Sequence, residues 1–178
     1  MPTTLVLYGS QYGHARAYAE WLAEDLGGRA LPLAEAAEAD LEAADTVVIG
    51  ASDYAGSLTQ ADDVVRLAAA LEGRKRAFFT VSFSGDVSVP REKLDAVLAK
   101  NFGPAFDAAA PTAHFRGGMD YARLSRAHKT AMMGVRAFLR TKRGKSETDQ
   151  QMLDCYGGRA DYSDRASIAP FVERVRGL

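Results

Sequence analysis

Short apolar runs alternating with helical stripes are the feature that most constrains how this chain can fold. Leu5-Val6-Leu7, Thr46-Val47-Val48-Ile49-Gly50-Ala51, Ala77-Phe78-Phe79-Thr80-Val81-Ser82 and Ala113-His114-Phe115-Arg116-Gly117-Gly118 are too short for helices and read as strands. Unbroken apolarity is what a strand covered on both faces requires. Between these runs, Ala15, Tyr18, Ala19, Leu22, Ala23 and Leu26 recur at spacings of three and four, as do Val64, Leu67, Ala68 and Leu71, and then Leu94, Val97 and Leu98. Each set is the stripe that an amphipathic helix buries. The alternation predicts a parallel sheet wound on both sides.

The weaker segments complete the pattern. Residues 29–33 read as a short strand after a stop at Gly27-Gly28, and residues 34–44 as a partly helical connection. Thr59, with Asp62 three places on, is the expected cap of the next helix. A further helix begins near Pro90. Residues 121–143 read as one long helix with Leu124, Ala127, Ala131, Val135, Phe138 and Leu139 along one side, and residues 142–149 as a loop. A last helix carries Ile168, Phe171, Val172 and Val175, with Pro170 tolerated in its first turn. With 178 residues and no linker or repeat, the expectation is one domain over residues 1–178.

Composition removes several classes of function. The single cysteine, Cys155, excludes a disulfide framework within the chain and a cysteine-rich metal site, and no metal is expected. No apolar run reaches the ~20 residues that span a bilayer, and the N-terminus carries no signal-peptide pattern, so the expected location is cytoplasmic. The net charge of −1 conceals an asymmetry. Residues 114–145 hold nine Lys/Arg against one acid, Asp120, for +8, which leaves −9 on the remainder. A strongly basic segment on an acidic body calls for an anionic partner. Nucleic acid is not expected, because the basic residues are not interleaved with aromatics.

In an open parallel sheet, ligands bind beyond the carboxyl ends of the strands, where strand order reverses. That brings residues 9–14, 52–58, 83–86 and 117–121 together. The first of these loops enters a helix, where unpaired N–H groups and the positive end of the helix dipole suit a phosphate. Ser10 and Tyr12 offer hydroxyl donors there. The loop lacks both the Lys-Ser/Thr ending of a P-loop and the three-glycine dinucleotide fingerprint. Small residues, hydroxyls and the aromatics Tyr12, Tyr54, Phe83 and Tyr121, with little positive charge apart from His14, suit a flat aromatic ligand bearing a phosphate.

The loop Ser10-Gln11-Tyr12-Gly13-His14-Ala15, the exit Ile49-Gly50-Ala51-Ser52 followed by Tyr54, and the loop Phe83-Ser84-Gly85-Asp86 resemble those of flavodoxins. The resemblance implies a doubly wound five-stranded parallel sheet in the order 2-1-3-4-5. It also implies FMN, with its phosphate in the first loop and its ring between the others. The cofactor set so implied is Ser10, Gln11, Tyr12, Gly13, His14, Ala15, Ser52, Asp53, Tyr54, Ala55, Gly56, Phe83, Ser84, Gly85, Asp86, Gly117, Gly118 and Tyr121. Flavodoxins usually end the first loop in Asn or Gln and then Thr, where this chain has His14 and Ala15.

Arg116-Gly117-Gly118 with Tyr121, the basic helix, and Gly144-Lys145-Ser146-Glu147-Thr148-Asp149 further resemble the menaquinone-dependent protoporphyrinogen dehydrogenase family. That resemblance implies a helical insertion after the fifth strand, about residues 119–161. It also implies oxidation of a porphyrinogen with a quinone acceptor, and contact with the inner face of the membrane through residues 123–145. The alternative is a flavodoxin-type electron carrier that docks an acidic protein through its basic helix, and a flavin-free protein of the same fold is the third reading. Tyr54 is the expected stacking partner of the ring. His14, His114, His128, Asp53 and Asp86 are the candidate proton-transfer groups, with no triad among them.

Overall fold

The computed structural model describes residues 3–178. Five parallel strands form the main sheet: β1 (Thr4–Gly9), β2 (Arg29–Pro32), β3 (Thr46–Tyr54), β5 (Lys75–Ser82) and β6 (Thr112–Arg116), in the order β2-β1-β3-β5-β6. This is the predicted α/β topology. A two-residue strand, β4 (Ser57–Leu58), folds back on the end of β3. The connecting helices are α1 (His14–Leu26), α2 (Glu38–Glu42), α3 (Ala61–Arg66) and α4 (Arg91–Phe102).

Alternation along each strand sends side chains to opposite faces and divides the core in two. Val6, Val48, Phe79 and Phe115 pack under α1 and the final helix α7 (Ala169–Arg176), against Tyr18 and Phe171. Leu5, Leu7, Ile49 and Phe78 pack on the other face against Leu98 and Phe102 of α4. Gly50 is required by this packing, because a Cβ there would lie 2.1 Å from the Phe79 ring. Pro170 occupies the first turn of α7, where its missing N–H costs nothing.

The segment after β6 departs furthest from the sequence expectation. It forms a separate antiparallel pair, β7 (Gly118–Asp120) with β8 (Arg159–Asp161), joined through α5 (Arg126–Thr141) and α6 (Glu147–Asp154). The expected helix over residues 121–143 is broken at its start. Asp120 caps a 3-10 turn at Tyr121–Arg123, and Ser125 begins α5 by accepting the His128 N–H. Residues 142–149 are not all loop. The Ser146 hydroxyl accepts the Asp149 N–H while Asp149 accepts the Ser146 N–H, a reciprocal cap that starts α6.

Thr59 does not cap α3. Gln60 stands before that helix with φ 60° and no side-chain hydrogen bond, while the Thr59 N–H is spent on the Ser52 carbonyl. Local cap chemistry is overridden here by the β3–β4 hairpin, whose turn at Ala55 and Gly56 has φ of 54° and 83°.

Candidate functional site

A cavity of about 430 Å³ opens at the carboxyl ends of β3 and β5. Ser52, Asp53, Tyr54, Ala55 and Gly56 of the hairpin line it, with Phe83 and Ser84 after β5 and Gly117 and Gly118 after β6. Its other walls come from elements that sequence reading did not assign to the site. Lys93, Leu94 and Val97 project from α4, and Ala131, Met132 and Val135 from α5. The cap between β7 and β8 therefore closes one side of a largely apolar slot.

An aromatic group ties this cap to the loops. His128 of α5 stacks on Tyr54 at 3.9 Å between centroids and 16° between planes. Its Nδ1 lies 2.7 Å from the Tyr12 hydroxyl. Tyr12 was expected to offer that hydroxyl to a phosphate; in the structure it is engaged by His128 instead. Tyr54 already carries a ring on one face, and its hydroxyl oxygen is buried with no hydrogen-bond partner among the described residues. Burial pushes the Tyr54 phenol up to about 12. A buried hydroxyl without a partner is costly.

Asp53 faces the same cavity. Its Oδ1 accepts the Gly56 N–H at 2.7 Å, yet burial raises its pKa and outweighs that hydrogen bond. It is the carboxyl of the site that most readily holds a proton.

At the first loop, Gly13 has φ 97° and donates its N–H to Ser10 Oγ at 3.1 Å, immediately before α1 begins at His14. Ala15 is fully buried against the sheet and presents no polar atom. A second cavity of about 270 Å³ lies along the first turns of α1, between Gly13, His14, Arg123, Arg159 and Asp161. The two cavities share Tyr12, His14 and Met119 in their walls. His14 Nδ1 lies 3.1 Å from Ser163 Oγ and 3.6 Å from Asp161 Oδ1. Burial lowers its pKa, Arg123 and Arg159 push it the same way, and Asp161 opposes them.

Several expected site residues lie elsewhere. Asp86 lines a separate cleft beside Arg91, His114 and Arg174, because the chain turns at Gly85, whose φ is 55°, and Gly85 itself packs on Arg116. Ser10, Gln11, Ala15 and Tyr121 are absent from the walls of the main cavity. Tyr121 instead donates its hydroxyl to that of Tyr156. Phe138, expected on the inner side of its helix, is 64% exposed, and Met132 is buried in that role. His114 has both ring nitrogens occupied, by Thr80 Oγ1 at 2.8 Å and Asp95 Oδ1 at 2.9 Å. Burial lowers its pKa even so. Among the described residues no group of three His, Cys, Asp or Glu side chains is placed to hold a metal ion, and no helix is long and apolar enough to cross a membrane.

Comparison with solved structures finds a flavodoxin from Archaea at 14% identity, covering 96% of this chain and 99% of that one, with a TM-score of 0.45. The Streptococcus pneumonia TIGR4 flavodoxin matches at 12% identity over 98% of both chains, with a TM-score of 0.46. The two-electron reduced Megasphaera elsdenii flavodoxin matches at 15% identity over 61% of this chain and 80% of its own, with a TM-score of 0.46. No curated protein sequence matches the chain. The family model for the flavodoxin domain matches residues 5–149, from β1 into α6, and the chain belongs to that family.

Proposed function

We propose that this chain binds FMN in the cavity at the ends of β3 and β5 and acts as an oxidoreductase on an organic substrate. Proteins of the flavodoxin family bind FMN. The observation that carries the proposal is the largely apolar slot itself, set at the carboxyl ends of the strands and walled by Tyr54, Phe83 and the backbone at Gly117 and Gly118. A flat aromatic ring fits such a slot.

When bound, the flavin supplies the electron chemistry. The protein's contribution is positional. Tyr54, backed by His128, lines the slot, and α5 limits water on that side. Asp53, which lines the slot and whose pKa burial raises, is the side chain that would hold or release a proton there. Lys93 of α4 adds a cation to the lining.

The cap favours an enzyme over a bare carrier, since it lines one side of the slot with apolar side chains that an organic substrate can meet. Within that reading the substrate is a porphyrinogen and the acceptor a quinone. The second reading, a carrier docking an acidic protein, draws on Arg126, Arg140 and Arg143, which are exposed on the cap, as are Met133 and Phe138. Equilibrium titration of the purified protein with FMN, read by quenching of flavin fluorescence, tests the shared step. Saturable one-to-one quenching supports it, and unchanged fluorescence refutes it. Turnover of protoporphyrinogen with a menaquinone analogue above the protein-free rate then selects the enzyme. Absence of turnover, together with salt-sensitive electron exchange with a reductase, selects the carrier.

A further inference from the structure

The smaller cavity beside α1 has a composition that the first loop alone does not predict. Arg123 ends the 3-10 turn that opens the cap and donates from Nη1 to the Tyr12 carbonyl at 3.3 Å. That contact holds a guanidinium directly on the loop between β1 and α1. Arg159, from the returning strand β8, lines the same cavity. Among the described residues neither arginine has a carboxylate within 4.0 Å.

The two acids of this cavity are turned to other partners. Asp120 accepts the Ala122 N–H, and Asp161 accepts the Ser163 N–H while lying near His14. Both arginines also act on His14, opposing its protonation, so their field reaches across the cavity to the first residue of α1. Meanwhile the loop has lost hydroxyl donors. Ala15 has none and the Tyr12 hydroxyl is spent on His128. Two guanidinium groups without a carboxylate partner thus line a cavity that shares Tyr12, His14 and Met119 with the slot.

We infer that Arg123, supported by Arg159, is the cationic anchor for the phosphate of the bound flavin. The cap thereby supplies by charge what the loop has lost in hydroxyls. This rests on the flavin reading above. A guanidinium is suited to the role, since its fork of N–H donors matches two phosphate oxygens at once.

The test compares FMN with riboflavin, which carries the same ring and no phosphate, in titrations of the wild-type protein, Arg123→Gln and Arg159→Gln. Both arginines are exposed, so neither change removes core packing. For Arg123→Gln the inference expects FMN affinity to fall about tenfold to a hundredfold, the range for losing one charge-assisted hydrogen bond. Riboflavin affinity should stay within about twofold of wild type, with the salt dependence of FMN binding reduced. Arg159→Gln should show a smaller loss of the same kind. Equal losses for FMN and riboflavin, or an unchanged FMN to riboflavin ratio in Arg123→Gln, would overturn the anchor and leave the flavin site standing. Failure of the wild-type protein to bind either flavin would overturn the underlying reading and the anchor with it.

Discussion

Tyr54 shows how one atom constrains the chemistry of a site. Its ring is satisfied by His128 and its hydroxyl by nothing among the described residues. Tyr54→Phe should therefore make the ligand-free protein about 1 kcal/mol more stable in urea unfolding, because a buried donor without a partner is removed while the packing stays. The same change should leave FMN affinity within about twofold, since the buried oxygen has no surface to offer a ligand. A less stable ligand-free variant would show that the hydroxyl is satisfied after all. His114 makes a second residue-scale prediction. Its folded pKa is depressed, so the unfolded chain binds more protons wherever the pH lies below the ordinary value of 6.5. Stability is then present above 6.5 and falls as pH drops toward the folded pKa. His14 contributes with the same sign. His114→Gln should lower stability at pH 7, through lost contacts to Thr80 and Asp95, yet flatten the slope between about pH 7 and pH 5. An unchanged slope, measured by denaturant unfolding at several pH values, would remove His114 from that account.

Among the elements, the two cap helices depend most on single side chains. α6 spans eight residues, too few to persist without tertiary support or a cap. Ser146, Asp149 and Lys142 supply one, with Lys142 Nζ on the same Asp149 oxygen that accepts the Ser146 N–H. Ser146→Ala should cost about 1 kcal/mol and lower hydrogen-exchange protection within α6 first. Protection falling equally in β3 and β5 would mean that the cap and the sheet unfold as one unit. The motif Ser146-Glu147-Thr148-Asp149 was present in the sequence, but the polar composition around it argued for a loop. In α5 the expected stripe was right at Val135 and Leu139 and wrong at Phe138, with Met132 buried in its place. Met132 and Val135 join the cluster that holds Tyr12 and Tyr54, which leaves Phe138 outside.

The whole molecule is a two-faced sheet with a smaller cap cluster set on its carboxyl edge. Met119, Leu124, Met132 and Cys155 form the buried part of that cluster. Asp120 and Arg159 are register partners across β7 and β8. Residues 121–158 can accordingly be replaced by Asn-Gly, which closes two antiparallel strands in a tight turn. The shortened chain should keep its cooperative unfolding and its sheet circular dichroism, while FMN dissociates at least ~10-fold faster from an uncovered slot. A shortened chain that fails to fold would show that the cap is part of the core.

How much of this was legible follows from the range of each interaction. Burial on both faces of a strand is written locally, as an unbroken apolar run, so Val6, Val48, Phe79 and Phe115 could be placed in a parallel sheet from the sequence alone. The loops at its carboxyl edge followed from topology, and Tyr54, Phe83 and Gly117 line the cavity there. Only the tertiary structure decided what meets them. Tyr12 and His128 are 116 residues apart, and Arg123 reaches the Tyr12 carbonyl across 111. Such contacts depend on the side-chain direction of two elements fixed by separate packing, and no local pattern encodes a direction relative to a distant helix. The sheet was determined by the sequence through hydrophobic periodicity, whereas the site's lining and its charges were determined by how the cap lies on the sheet.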